Sequence, residues 1–261
     1  MDLGLRGKRA LVTGASKGIG RATAEVLGEE GCGLVLAARG RETLEALAAS
    51  LRAAHPGLPV DIHVCDLSRT AEQDALCAAW PDVDILVNNA GANPPGTLDA
   101  IDDATWRAAW ELKVFGCINV TRGLHARMAA RGHGVIVNII GAAGERMNAG
   151  YIVGSTGNAA LMAFSRALGA AAPDRGVRVV GINPGLVATD RAQMLVRRWA
   201  EAEYGDPERW AELPQVRALP FGRMAEAREV GELAAFLASD RAGYVSGTVV
   251  TIDGGAVNRH G

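Results

Sequence analysis

Gly14, Gly18 and Gly20 fall inside the segment ALVTGASKGIGRATAEVL, between a short apolar run and a stretch of helical period. Glycines at such a strand-to-helix turn leave no side chain between backbone and ligand, and the N–H groups that open the helix point at an anion. The spacing therefore predicts a pyrophosphate cradle for a nicotinamide dinucleotide, built from Gly14, Ser16, Lys17, Gly18, Ile19 and Gly20. Two cations then choose between dinucleotides. Arg39 stands at the end of the second apolar run, where an acidic residue would hydrogen-bond the adenosine ribose hydroxyls of NAD. A guanidinium there can instead hold a 2′-phosphate through bidentate, charge-assisted bonds, and Lys17 adds a second positive charge. The expected cofactor is NADP(H); the alternative is two solvated surface cations.

The glycines are spaced T-G-x-x-x-G-x-G, and further motifs follow: Asp66 after the third strand, Asn88-Asn89-Ala90-Gly91 after the fourth, and Asn183-Pro184-Gly185 after the sixth. Together they make the chain resemble the short-chain dehydrogenase/reductase family, from the first strand through the segment SGTVVTIDGG at Ser246–Gly255. The resemblance implies that Asp66 and Leu67 flank the adenine. It also implies that Asn89, Ala90 and Gly91 line the ribose side, while Pro184, Gly185 and Thr189 meet the nicotinamide amide. A homotetramer or homodimer is implied in the same way, built on the long helices and the last strand.

Members of this family use Asn, Ser, Tyr and Lys: tyrosine exchanges a proton with the substrate oxygen, and lysine lowers its pKa. The Y-x-x-x-K pattern is absent here. Matching the helix NAALMAFSRALG to the family's helix places Asn158 at the lysine position and Gly154 at the tyrosine position. Gly141 then falls at the serine position and Lys113, in WELKVFG, at the asparagine position. The Asn and Lys positions have thus exchanged residue types, which suggests that Lys113 brings its ammonium to the usual lysine's place while Asn158 contacts the ribose. The alternative is two unrelated substitutions. Tyr151, three residues before Gly154, shares its face if the helix begins a turn early; otherwise it takes the family position, with Ser155, Thr156 and Gly157 as an insertion. Ser155 offers a hydroxyl, and Glu145 and Arg146 lie in the preceding loop. Each of these three also reads as a capping or surface residue.

The elements that must position these groups alternate. Apolar or β-branched runs near Arg9–Thr13, Leu34–Ala38, Asp61–Cys65, Ile85–Asn88, Val135–Ile139, Arg178–Ile182 and Thr248–Ile252 predict seven strands. Between them, helices are expected over Arg21–Glu29, Glu42–Ala53, Ala71–Ala79, about Ala104 to Ala130, Asn158–Ala171 and Ala227–Ala238. That pattern predicts a single-domain Rossmann fold spanning 1–261, a doubly wound α/β arrangement with a seven-stranded parallel sheet flanked by helices on both faces. The stretch from Pro184 to Met224 breaks the alternation, and a substrate lid is expected over 186–222, with a helix near Ala192–Glu203. An immobile surface excursion is the other reading. Trp199 and Trp210 there hint at an apolar substrate.

Composition narrows the rest. With 49% hydrophobic residues and a net charge of −2, the chain can build a large core and carries no basic excess for nucleic acid or an acidic membrane. No leader-like segment or spanning stretch is evident, so a cytoplasmic protein acting on a small molecule is expected. Cys32, Cys65, Cys77 and Cys117 lack C-x-x-C spacing and read as buried thiols. His55, His63, His125, His133 and His260 lack metal-ligand spacing, so no metal is expected. The leading expectation is hydride transfer between NADP(H) and a carbonyl or alcohol at a non-standard active site. The alternatives are a non-redox lyase or isomerase using Lys113, and a catalytically silent NADP(H)-binding sensor or scaffold.

Overall fold

The computed structural model describes residues 1–259; His260, one of the five histidines weighed above, lies outside them. Seven strands form one parallel sheet: β1 (Arg9–Thr13), β2 (Gly33–Ala38), β3 (Val60–Val64), β4 (Ile85–Asn88), β5 (Gly134–Ile139), β6 (Val177–Pro184) and, last in the chain, β9 (Val249–Ile252). The short strands β7 (Val187–Ala188) and β8 (Ala225–Glu226) pair separately. Helices α1 (Gly18–Glu29), α2 (Arg41–Ala54), α3 (Thr70–Ala79), α4 (Asp103–Trp110), α5 (Gly116–Arg131), α6 (Ile152–Ala171), α7 (Asp190–Tyr204), α8 (Pro214–Arg217) and α9 (Ala227–Ala238) complete the main elements.

Strand alternation sorts the core into two layers. Ala10, Val12, Leu34, Leu36, Ile85 and Val87 pack on one face with α1, α2 and α9, while Leu11, Val35, Leu86 and Ile136 pack on the other with α3 and α5. Both faces are covered, which is why the strands read as continuous apolar runs rather than as half-polar ones. The four cysteines are free and buried, as expected from their apolar neighbours. Among the described residues no helix is long and apolar enough to cross a membrane.

The sheet order is β3-β2-β1-β4-β5-β6-β9. The order in which strands are added reverses between β1 and β4, and a crevice opens beyond the carboxyl ends of strands at such a switch point. The glycine-rich turn leaves β1 there, and Asn89–Gly91 leave β4 beside it. Just beneath lies a buried polar chain: Asn88 Nδ2 donates to Asn138 Oδ1 at 2.9 Å and to Thr121 Oγ1 at 2.9 Å, and Asn138 Nδ2 donates to Ser165 Oγ at 2.9 Å. It ties β4, β5, α5 and α6 together below the crevice. Asn138→Ala takes one partner from Asn88, which keeps Thr121, and one from Ser165, which keeps Leu161 O, and it opens a cavity, so it should cost about 2–4 kcal/mol. Urea unfolding measures this, and a loss under about 0.5 kcal/mol would show that water replaces the amide at no cost.

Two expected elements differ from those observed. The long helix is not continuous: α4 and α5 are joined by a π-helical turn over Glu111–Phe115, and Lys113 sits in it. Wide turns of this kind collect at functional sites. Helix α6 begins at Ile152 rather than Asn158, with Tyr151 as its N-cap residue. It runs unbroken through Ser155, Thr156 and Gly157.

Candidate active site

The cofactor half is built from glycines that neighbouring groups crowd. Gly14 has φ +65°, and a methyl group there would lie 2.8 Å from Asn89 Nδ2; one on Gly20 would run into Gly14 O and Asn89 Nδ2. Asn89 fixes the turn from the other side, donating Nδ2 to Thr13 O at 3.1 Å and to Gly14 O at 3.2 Å. Thr13, passed over in the sequence as the residue before Gly14, is the shared anchor. Its hydroxyl accepts from Asn89 N at 2.9 Å and Ala90 N at 3.1 Å. Across the crevice, Thr189 caps α7, and its methyl would lie 3.2 Å from a Cβ on Gly18. Gly185 donates to Ile252 O at 3.0 Å and lies close against Asp253, so Pro184 and Gly185 sit at the end of β6 on the same rim.

At the far end of the crevice, Arg39 follows β2 and Asp66 follows β3, and the two strands pair in register at Ala38 and Val64. Asp66 accepts from Ser68 N at 3.0 Å and Ser68 Oγ at 2.9 Å. These bonds, and then Arg39 and Arg69, hold its carboxyl below the usual aspartate range. Leu67 is buried beside it, while Ile19 is half-buried against the core and Ser16 is half-buried in the turn. Lys17 and Arg39 are exposed, and no ion pair among the described residues uses either. A backbone cradle with no side chains in it, flanked by two unanswered cations, fits a dinucleotide bearing an extra phosphate.

In the other half, three glycines leave gaps and three polar side chains fill them. Lys113 lies across Gly91, where an added Cβ would be 2.8 Å from its Cδ. Asn158 lies beside Gly141, whose added Cβ would be 2.8 Å from Asn158 Nδ2. The Tyr151 ring lies over Gly154, and a methyl on that glycine would land on its ring carbons. The phenol thus occupies the space where a side chain at 154 would begin, as the early helix start requires.

Lys113 and Asn158 converge on consecutive carbonyls. Lys113 Nζ donates to Ile140 O at 2.7 Å, and Asn158 Nδ2 donates to Gly141 O at 3.2 Å. Loss of water around the ammonium, and then the Arg191 charge, lower the Lys113 pKa from 10.5 to about 8. Asn158, expected at the ribose, is 3% exposed, donates Nδ2 to Gly141 O and has its Oδ1 buried without a partner. It braces the end of β5.

Ser155 is engaged by its own loop. Its buried hydroxyl accepts from Asn148 N at 3.1 Å and donates to Asn148 O at 3.4 Å, so it clasps the loop onto α6. Glu145 is likewise occupied, accepting from Asn183 Nδ2 at 2.9 Å and Thr251 Oγ1 at 3.0 Å. Tyr151 is held by a bridge to Gly96, flanked by Gly96 N to Gly150 O at 2.8 Å and Ile152 N to Gly96 O at 3.3 Å. Trp199 and Trp210 are half-buried and pack against a small cluster of Val196, Ala200 and Leu213 within the 186–222 excursion. Arg191, also on α7, donates to Asn93 O, a contact across 98 residues that no local motif announces.

Known proteins are similar to this chain in sequence and fold. The chain is 32% identical to the 3-oxoacyl-(acyl-carrier-protein) reductase of Escherichia coli (strain K12) over 253 residues, 97% of this chain and 98% of that one. The structure superimposes with a TM-score of 0.92 on L-sorbose reductase from Gluconobacter frateurii, solved with NADPH and L-sorbose, at 32% identity and full coverage of both chains. It matches actinorhodin polyketide ketoreductase with NADPH at a TM-score of 0.90 and 32% identity, covering 97% of this chain and 98% of that one. The model of the short chain dehydrogenase family matches residues 8–199, and with a glycine cradle at the switch point of a seven-stranded parallel sheet, the chain belongs to that family.

Proposed function

We propose that the protein is an NADP(H)-dependent oxidoreductase interconverting a carbonyl and an alcohol, with Tyr151 as the proton-transfer group and Lys113 as the positive charge beside it. The observation that carries this reading is the Tyr151 ring lying over Gly154, which returns a phenol to a helix face left bare by glycine. The NADPH-bound ketoreductase and sorbose reductase support the cofactor choice, as do the unpaired Arg39 and Lys17. Bound NADP(H) supplies or accepts a hydride at its nicotinamide ring. The glycine cradle receives the pyrophosphate, Arg39 and Lys17 the 2′-phosphate, and Asp66 and Leu67 flank the adenine. Asn89, Ala90 and Gly91 line the ribose side, and Pro184, Gly185 and Thr189 meet the amide.

In the reducing direction Tyr151 gives its proton to the oxygen that becomes the hydroxyl. Lys113, pinned by Ile140 O, holds a cation where negative charge develops. Asn158 and Ser155 act through the backbone, one fixing Gly141 and the other the loop before α6. A silent or non-redox protein would leave the glycine gaps without function; the three polar side chains that fill them favour the redox reading. NADPH oxidation against a panel of ketones and aldehydes tests it. Loss of the nicotinamide absorbance with at least one class is expected, and tight NADPH binding with no turnover throughout would refute it.

The lysine makes turnover sensitive to pH. Its ammonium is charged below about 8 and neutral above, so reductive kcat/KM should fall as pH rises through that value. Lys113→Arg keeps the charge at all working pH values and should remove the fall even where it lowers the absolute rate. An unchanged profile would assign the titration elsewhere. The stability sign follows from the same shift. Between about 8 and 10.5 the unfolded chain binds more protons at this residue than the folded one, so its contribution to stability rises with pH across that window.

A further inference from the structure

Two cations meet one short stretch of chain. The Lys113 stem crosses Gly91, and the Arg191 guanidinium donates to the carbonyl of Asn93. Gly91 and Asn93 are two residues apart, at most about 7 Å along the chain. No acid answers either charge among the described residues: Lys113 is spent on a neutral carbonyl, and Arg191 is in no ion pair. The adjacent Asp190 is exposed and is also outside every ion pair. After desolvation, the Arg191 charge is the largest influence on the Lys113 ammonium, so the two act on a common space.

The stretch also holds an unsatisfied polar group. Asn93 is 2% exposed, and both Nδ2 and Oδ1 lack a hydrogen-bond partner. Buried amides are nearly always paired, so an unpaired one needs an explanation, and a ligand that completes the set supplies one here. Arg191 has donors to spare as well: a guanidinium carries five N–H groups in a planar fork, and a single bond, to Asn93 O, occupies it. Its open edge suits a planar oxyanion that accepts two parallel bonds. Tyr151, bridged to Gly96 five residues beyond Gly91, closes the same loop from the other side.

We propose that the substrate carries a carboxylate, received by Arg191 and the Asn93 amide, with its carbonyl or hydroxyl carbon lying on the Tyr151 and Lys113 side. The substrates are therefore oxo acids and their hydroxy-acid products, with the acid close to the reacting carbon because both cations face one short loop. This deepens the carbonyl–alcohol reading above and rests on it for the reaction, though not for the binding. Arg191 is a specificity-determining residue, set on α7 in the excursion after β7, so the group that reads the acid lies on a different element from those that work on the oxygen.

The test is calorimetric titration of the NADP⁺-loaded protein, in which a ketone binds without being reduced. The probes are 2-oxo, 3-oxo and 4-oxo phenylalkanoic acids, each paired with its ethyl ester. At least one acid should bind ten-fold or more tightly than its ester. Arg191→Leu should erase that difference by weakening the acid alone, leaving ester and NADP⁺ affinities unchanged, and Arg191→Lys should restore part of it. Retained NADP⁺ affinity also shows that the variant is folded. Equal affinities for every pair, binding of neither member, or a parallel loss of NADP⁺ affinity in Arg191→Leu would overturn the carboxylate site. Turnover is read separately with NADPH: an acid that binds through Arg191 but is never reduced would sink the redox reading and leave the carboxylate site standing.

Discussion

Tyr151→Phe should lower kcat by about 10²–10⁴-fold, the range expected for losing a positioned proton donor, while NADPH affinity stays within two-fold. The change removes one oxygen and keeps the ring that packs over Gly154, so the fold and the cofactor cradle are undisturbed. Gly154→Ala is the companion variant. It leaves the phenol in the protein but puts a methyl where the ring lies, so the ring must move and turnover should fall with it. Single-turnover mixing of the NADPH complex with a reactive ketone checks both. A Tyr151→Phe enzyme that reduces the ketone at the parent rate would remove the phenol from the mechanism.

The second large effect concerns cofactor choice. Arg39→Asp should weaken NADPH about 100-fold and improve NADH, because it removes two charge-assisted bonds to the 2′-phosphate and offers a carboxylate to the ribose hydroxyls instead. Charge-assisted bonds are worth about 1.5–3 kcal/mol each, and about 1.4 kcal/mol is a factor of ten, so the loss reaches two decades even if water recovers part of it. Arg39 is exposed, so the substitution costs the fold little. Fluorescence titration with each dinucleotide measures it, and equal weakening of both would mean that the residue acts through Asp66, whose carboxyl it helps to keep ionised.

Much of this was legible from the chain, for a physical reason. Strands buried on both faces must be apolar throughout, so β1 and β4 could be read to the residue. The cofactor turn was legible because glycines there answer to backbone geometry: Gly14 takes a positive φ, and Gly20 has no room for a Cβ. The start of α6 was hidden. Gly154, Ser155, Thr156 and Gly157 are poor helix formers by propensity, and the helix is set instead by contacts they alone permit. Gly154 admits the Tyr151 ring, and an added Cβ on Gly157 would sit 3.3 Å from Val114 and 3.4 Å from Trp110 Nε1. The π-turn around Lys113 left no trace either, since the apolar period across WELKVFG fits an ordinary helix.

The exchange of lysine and asparagine was visible in the sequence, but the bonds the two side chains make were not. Lys113 donates to Ile140 O just past β5 and Asn158 to Gly141 O, the next carbonyl. A hydroxyl one residue after Gly154 looked chemical in Ser155, and the loop geometry made it a clasp. Arg191 and Asn93 escaped notice because nothing in either segment refers to the other; only the fold brings α7 over the loop that follows β4.

One measurement bears most directly on the claim that a relocated phenol does the chemistry. It is a crystal structure with NADP⁺ bound, into which a carbonyl carbon is placed at about 3–3.5 Å from the reacting carbon of the nicotinamide. The account predicts Tyr151 Oη within about 2.6–3.2 Å of the carbonyl oxygen, with Lys113 Nζ on the same side. A phenol turned to solvent, with no other hydroxyl or amine in reach of that oxygen, would contradict it.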